Sequence, residues 1–108
     1  MPFAVFMTDD AVRDLEEIYD YIEGHNSPRE ADYVLERIEE TVSKLSEYHE
    51  RGAFPKELIE LGIREYRELF FKPYRIIYRM MTENVYVMLI ADGRRDMQSL
   101  LERRLLGA

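Results

Sequence analysis

The chain has 108 residues, a length that fits one layer of helices on a sheet, and we expect residues 1–108 to form a single domain. Its composition is typical of a soluble globular protein, and no apolar run approaches the roughly 18 residues of a membrane span, so we expect a cytoplasmic protein without a membrane partner. Cysteine is absent, which excludes disulfides, thiolate catalysis and cysteine-based zinc sites.

The net charge of -7 is distributed unevenly along the chain. Residues 1–61 carry sixteen acidic and six basic side chains, whereas residues 62–108 carry six acidic and nine basic side chains. An acidic protein is repelled by nucleic acid at long range, so we expect no strong direct nucleic-acid binding by the chain alone. Any contact with an acidic partner should use the second half.

The first half predicts a short strand followed by two helices. The apolar residues at the N-terminus alternate as in a strand, and Thr8, Asp9 and Asp10 are candidate N-caps for a first helix that Gly24 to Asn26 ends. Ser27 and Pro28 then mark the start of a second helix, since serine caps helices and proline suits the first helical position. Apolar residues recur at helical spacing in both segments, which indicates two antiparallel helices.

The second half predicts three strands and a final helix. Residues 51–62 suggest a loop with one helical turn, and aromatic and β-branched residues then indicate strands near 64–71, 74–81 and 85–91. Short turns between strands imply antiparallel hairpins. The fold class is therefore α+β: an antiparallel four-stranded sheet packed on a helical hairpin, with a short C-terminal helix, in the order β-α-α-β-β-β-α. The position of the first strand in the sheet stays open.

One face of the predicted strand 74–81 carries Arg75, Ile77 and Arg79, because alternate side chains of a strand share a face. The opposite face carries Tyr74 and Tyr78 and suits the core beneath the helices. We expect the arginine face to be exposed and to bind carboxylates or phosphates, which match the planar fork of guanidinium donors. The alternative is that both arginines form ion pairs with Glu65 or Glu68 of the neighbouring strand.

The order of these elements, with Gly62-Ile63-Arg64-Glu65, Pro73 to Arg79 and Arg94-Arg95-Asp96, resembles the RelE/ParE toxin superfamily of bacterial type II toxin-antitoxin systems. The resemblance covers nearly the whole chain and is closest to the ParE branch. It implies a sheet on a helical hairpin, and a toxin that a cognate, ParD-like antitoxin holds inactive in a hetero-oligomer. Growth arrest and plasmid stabilisation are implied in the same way.

The resemblance leaves two classes of function open. ParE-like toxins act on DNA gyrase, which implies inhibition by protein binding without catalysis. RelE-like relatives cut messenger RNA on the ribosome, which would make the chain an endoribonuclease. A third alternative is an antitoxin-binding module without toxicity. In the ribonuclease branch, the region at and after the last strand often supplies a histidine or tyrosine as the general acid. No histidine or tyrosine follows Tyr86 in this chain, so we favour gyrase inhibition.

Site residues follow from each alternative. A ribonuclease needs positive charge for the phosphate, a proton acceptor and a proton donor, and the candidates are Arg75 and Arg79, Glu65, and Tyr86, respectively. The antitoxin-binding candidates are Arg75, Ile77 and Arg79. The target-binding candidates lie in the C-terminal segment: Arg94, Arg95, Arg103 and Arg104. Asp96 could instead simply begin the last helix. The histidines lie far apart without clustered carboxylates, so we expect no metal and no cofactor.

Overall fold

A computed structural model describes residues 2–107 of the chain. The predicted order of elements is confirmed, including a helical turn within residues 51–62, and one further short helix follows the second helix. None of the helices in this range is long and apolar enough to cross a membrane. The elements are β1 (Ala4–Met7), α1 (Asp9–His25), α2 (Pro28–Ser43), α3 (Leu45–Tyr48), α4 (Lys56–Ile59), β2 (Arg67–Phe71), β3 (Tyr74–Met81), β4 (Asn84–Asp92) and α5 (Met97–Leu106).

The three longer helices begin at side-chain caps. Thr8 accepts a hydrogen bond from the backbone N–H of Ala11, and Ser27 accepts one from Glu30, so both predicted caps are confirmed. Asp96 caps α5 through the backbone N–H of Ser99. Each cap satisfies an N–H group that has no partner within its own helix, which fixes where the helix begins.

The sheet is mixed, so the prediction of a purely antiparallel sheet is wrong. Strand order is β1-β4-β3-β2, in which β2, β3 and β4 form the predicted antiparallel hairpins and β1 lies parallel to β4. A tight turn forces neighbouring strands to be antiparallel, but β1 and β4 are separated by the whole helical layer. Their relative direction is therefore set by packing and not by a turn.

Both faces of the sheet are covered by helices. One face packs against the helical hairpin of α1 and α2, and we call it the hairpin face. Its buried residues include Ile76, Tyr78, Val85, Val87 and Ile90. We call the opposite side the outer face. Part of it is covered by α4 and α5 in a second cluster of buried residues: Leu58, Tyr66, Ile77, Leu89, Ala91, Met97, Leu100 and Leu101.

A β-bulge in β4 changes which residues face each layer. Ile77 pairs with Leu89, whereas the next residue, Tyr78, pairs with Val87, so Met88 is an extra residue on β4. Before the bulge Val87 faces the hairpin, and after it Leu89 contributes to the second cluster. The bulge therefore supplies the apolar surface that the C-terminal helix needs.

We predict that Thr82→Gly stabilises the fold. Thr82 has a φ of 59° in the two-residue turn between β3 and β4, the one positive φ outside glycine among residues 2–107. A β-branched residue is strained there, so glycine should add about 0.5–1 kcal/mol to the free energy of unfolding after its entropic cost. Thermal denaturation should show a higher Tm. Glu83→Gly is the control and should lower it, and a lower Tm for both would contradict the prediction.

Candidate functional site

Arg75 and Ile77 lie in the interior, so the expectation that they are exposed is wrong. Arg75 is 8% exposed and Ile77 is fully buried. The reason is the segment after Gly52, which folds back over the outer face and places Leu58 of α4 in the same cluster as Ile77. Burying this apolar surface has a more favourable free energy than leaving it exposed to solvent. Neither side chain presents the surface that its predicted role in antitoxin binding requires.

The Arg75 guanidinium binds two carboxylates, one from α4 and one from β2. Its Nη1 and Nη2 donate to Oε2 and Oε1 of Glu57, each at 2.8 Å, and its Nε donates to Oε1 of Glu68 at 2.7 Å. The ion pair with Glu68, our alternative for this arginine, is thus confirmed. Both carboxylates are nearly as buried as the arginine. This cluster is occupied internally and offers no open phosphate site.

The two carboxylates differ in their protonation behaviour. Hydrogen bonds from Arg75 hold the pKa of Glu57 below its ordinary value, since they stabilise the charged form. Burial raises the pKa of Glu68, and its single hydrogen bond from Arg75 only partly opposes that effect. The pKa of Arg75 is raised, first by its hydrogen bonds to Glu57. The arginine therefore stays charged at neutral and acidic pH.

Arg79 is the member of the predicted arginine pair that stays accessible. Its side chain is 30% exposed, it pairs with Glu65 at 3.4 Å, and its guanidinium lies 5.4 Å from the centre of the Tyr66 ring. Tyr86 is its cross-strand neighbour on β4 and stacks on Phe6 at 5.5 Å. The structure thus brings together three of the four ribonuclease candidates and leaves Arg75 out. Within residues 2–107 no group of His, Asp or Glu side chains is arranged to hold a metal ion.

The predicted target-binding arginines have different environments. Arg94 is exposed and donates to both oxygens of Asp92, at 2.9 and 2.5 Å, so hydrogen bonding lowers the pKa of Asp92. Arg95 and Arg103 are exposed and form no ion pair within residues 2–107. Arg95 lies just before α5 and Arg103 lies in its last turn. These two are the arginines of this segment whose donors are free for a partner.

Arg104 holds α5 against α1 and β4 instead of facing a partner. Its Nη1 and Nη2 donate to the two oxygens of Asp14, each at 2.9 Å, and Nη2 also donates to the carbonyl of Met88 at 3.3 Å. The same Asp14 carboxylate accepts the backbone N–H of Ile90 at 3.0 Å. The Arg104 side chain is 20% exposed. Asp14 and Arg104 therefore form hydrogen bonds with backbone groups at the edge of β4, beyond the residues that pair with β1.

Sequence reasoning missed Asp14 and Glu57. A signal existed for Asp14, because it shares the helical face of Ala11, Leu15 and Ile18, and a carboxylate on an apolar face needs a partner inside. Glu57 gave no comparable signal, since α4 is four residues long and has no periodicity to read. Both residues acquire their structural roles by binding arginine side chains that lie in other elements, far from them in the sequence.

An apolar groove runs between β1 and the helical hairpin. It has a volume of about 480 Å³ and continues into a second depression of about 550 Å³ beside the strand. The N–H of Thr8, directly after β1, donates to the carbonyl of Val87 in β4. Successive residues of a strand direct their backbone groups to opposite sides, so those of Val5 and Met7 point toward the free edge of β1. The first groove is lined by Met7, Val12, Leu15, Tyr19 and Leu35, with Glu16, Asp20 and Glu39 on its rim.

Residues 5–97 match the family model described as the ParE toxin of the type II toxin-antitoxin system parDE. A curated relative, Toxin ParE3 of Caulobacter vibrioides, is 28% identical over 91 residues, which cover 84% of this chain and 87% of the relative.

Two solved structures are similar in fold. A chain of the chromosomal ParDE system from P. aeruginosa has a TM-score of 0.71 at 21% identity, with 83% of this chain and 95% of that chain covered. A chain of the toxin-antitoxin complex RelBE2 from Mycobacterium tuberculosis has a TM-score of 0.61 at 21% identity, with 85% and 99% covered. At these identities the likeness concerns the fold.

We predict that Arg104→Ala destabilises the protein by about 1–3 kcal/mol, because it leaves a largely buried carboxylate without its bidentate partner. Urea denaturation measures the change in the free energy of unfolding. Arg103→Ala, one position earlier and exposed, is the matched control and should change that free energy by less than about 0.5 kcal/mol. Equal losses in the two variants would show that Arg104 has no special structural role.

Proposed function

The chain belongs to the ParE toxin family of type II toxin-antitoxin systems, and on that premise we propose that it inhibits DNA gyrase by binding to it and is neutralised by a cognate antitoxin. The family match makes it a toxin of the wider RelE/ParE superfamily. Gyrase as target, a ParD-like partner, growth arrest, a contribution to plasmid stabilisation and a cytoplasmic location are the parts that we propose.

The observation that carries this proposal is the pair of exposed arginines at the two ends of α5, Arg95 just before the helix and Arg103 in its last turn, which we call the α5 surface. Arg95 and Arg103 have no internal partner within residues 2–107, whereas Arg75 and Arg104 are held by carboxylates of the same chain. On a protein with a net charge of -7, a local cationic surface favours an acidic patch of a partner protein over nucleic acid. Inhibition by binding needs such a surface and no proton transfer.

Messenger RNA cleavage is the second candidate, and it rests on Arg79, Glu65 and Tyr86. They provide one guanidinium on β3, one phenol on β4 and one carboxylate from the segment just before β2. Arg79 would have to neutralise the phosphate alone, because Arg75 is enclosed between two glutamates. The Arg79 guanidinium is also already paired with Glu65, which would have to act as the proton acceptor. This arrangement supports cleavage less well than the α5 surface supports binding.

For the antitoxin we propose the groove beside β1. The free strand edge can pair with an added strand, the apolar lining can take the apolar side of an amphipathic segment, and the acidic rim favours a basic one. This replaces the exposed sheet face, which the buried positions of Arg75 and Ile77 no longer support. Arg79 remains a candidate contact at the open end of the outer face.

We expect the purified protein to inhibit gyrase. In a supercoiling assay it should reduce the conversion of relaxed plasmid to the supercoiled form by gyrase. In a translation reaction it should leave ribosome-bound messenger RNA intact. Cleaved message with unaffected gyrase would establish the ribonuclease alternative instead. Absence of both effects, together with tight antitoxin binding and normal growth on expression, would indicate a binding module without toxicity.

The double variant Arg95→Ala with Arg103→Ala should weaken gyrase inhibition by about tenfold or more in the concentration needed, since it removes both free cations near α5. Arg29→Ala with Arg51→Ala removes the same charge from exposed positions elsewhere and is the matched control. Similar inhibition by the two double variants would rule out α5 as the target surface.

Val12→Asp should weaken antitoxin binding by about tenfold or more, because it places a charge in the apolar groove. Val12 is 42% exposed, so the fold should tolerate the change. Leu61→Asp, at a 48% exposed apolar residue beyond α4, is the control and should leave affinity unchanged. Isothermal titration with the antitoxin measures both, and unchanged affinity for Val12→Asp would place the antitoxin elsewhere.

A further inference from the structure

We propose that Glu57, Arg75 and Glu68 form a proton-linked latch in which Glu68 takes up a proton first, while the Arg75–Glu57 pair keeps residues 53–66 attached to the sheet. We call residues 53–66 the strap. The latch is independent of the cellular target, because it concerns how the fold itself responds to pH.

The strap is attached to the outer face at three kinds of contact. Ala53 exchanges two backbone hydrogen bonds with Glu68 of β2, at 2.8 and 3.2 Å. Leu58 is fully buried beside α5. Glu57 of α4 reaches Arg75 of β3 through both of its oxygens. A second charged contact joins Glu65 of the strap to Arg79 at 3.4 Å, but the Glu65 side chain is exposed. The bidentate pair of Glu57 with Arg75 is the buried charged contact of the strap, so it links attachment of the strap to pH.

The stoichiometry of the cluster leaves one negative charge in excess. One guanidinium faces two carboxylates, and all three side chains are nearly buried. In a site of low dielectric an uncompensated charge is costly, and protonation of one carboxylate removes it. Lys56, which also favours the charged forms, is on the exposed part of α4.

Geometry distinguishes the two carboxylates. Glu57 receives two parallel hydrogen bonds from the guanidinium, the arrangement that best stabilises an ionised carboxylate, whereas Glu68 receives one. The charged groups acting on Glu68 are Arg75 and Lys56, which favour ionisation, and Glu57, which opposes it, while burial opposes it most. The raised pKa of Glu68 and the lowered pKa of Glu57 agree with this order.

The arginine is held in place by the backbone around it. A Cβ atom on Gly93 would lie 2.9 Å from Cδ of Arg75, so the side chain fills the space that glycine leaves at this position. Turning the Arg75 side chain outward would break its hydrogen bonds to Glu57 and Glu68. A change in pH therefore changes the protonation of the carboxylates while the cation keeps its position.

The sign of the pH dependence follows from the two shifts. Between the raised pKa of Glu68 and the ordinary value of 4.5, the folded protein binds more protons than the unfolded chain, so this group adds stability as the pH falls. Below 4.5, Glu57 resists protonation only in the folded state, and its contribution is lost as the pH falls further. The two groups together favour a stability maximum in mild acid.

The test compares Glu68→Gln with the wild type by thermal denaturation across pH. Glutamine keeps an oxygen for Arg75 Nε and removes the excess charge, so the variant should have the higher Tm at pH 7. That advantage should disappear as the pH approaches about 4.5, where wild-type Glu68 is itself protonated. A Tm below that of the wild type at pH 7 would overturn the proposal, as would an advantage that grows in acid.

Glu57→Gln tests attachment of the strap, and Glu60→Gln on the exposed side is its matched control. Hydrogen exchange at pH 7 should become faster within residues 53–66 for Glu57→Gln and stay unchanged for the control. Equal exchange in the two variants would overturn the latch. If Glu57→Gln does not fold, carboxyl NMR of the wild type decides, because Glu68 must titrate above Glu57.

Discussion

A single buried cation organises the outer half of this molecule. Enclosing a guanidinium costs several kcal/mol unless carboxylates compensate it, and Glu57 and Glu68 do so from two different elements. Because Glu57 belongs to α4, the helix has to lie on the sheet, and Leu58 is then placed against α5. The charged contact fixes position, and the apolar surface around it supplies most of the favourable free energy.

The contrast between predictable and unpredictable features follows sequence distance. Caps at Thr8 and Ser27 and the β3–β4 hairpin involve residues within a few positions of one another, and the sequence alone predicted them. The parallel pairing of β1 with β4 joins residues about eighty positions apart, and no local rule specifies its direction. Coverage of the outer face likewise depends on a short helix whose own sequence shows no pattern.

The arginines show why residue type is a weak guide to a binding site. A sequence can place a guanidinium on a strand or helix, but it does not show which carboxylate reaches it. Arg75 and Arg104, both proposed as contact residues, turn out to hold the fold together, whereas Arg95 and Arg103 keep free donors within residues 2–107. Asp14 was detectable as a carboxylate on an apolar helical face that needs a partner inside, but only the structure identifies Arg104 as that partner.

The two proposed binding surfaces occupy different parts of the molecule, and this constrains how neutralisation can work. The apolar groove with its acidic rim lies between β1 and the helical hairpin, whereas Arg103 lies in the last turn of α5 and Arg95 borders a separate depression beside Tyr21 of α1. An antitoxin confined to the groove would leave Arg95 and Arg103 open. Neutralisation by direct competition therefore requires a segment that continues beyond the groove and reaches these two arginines.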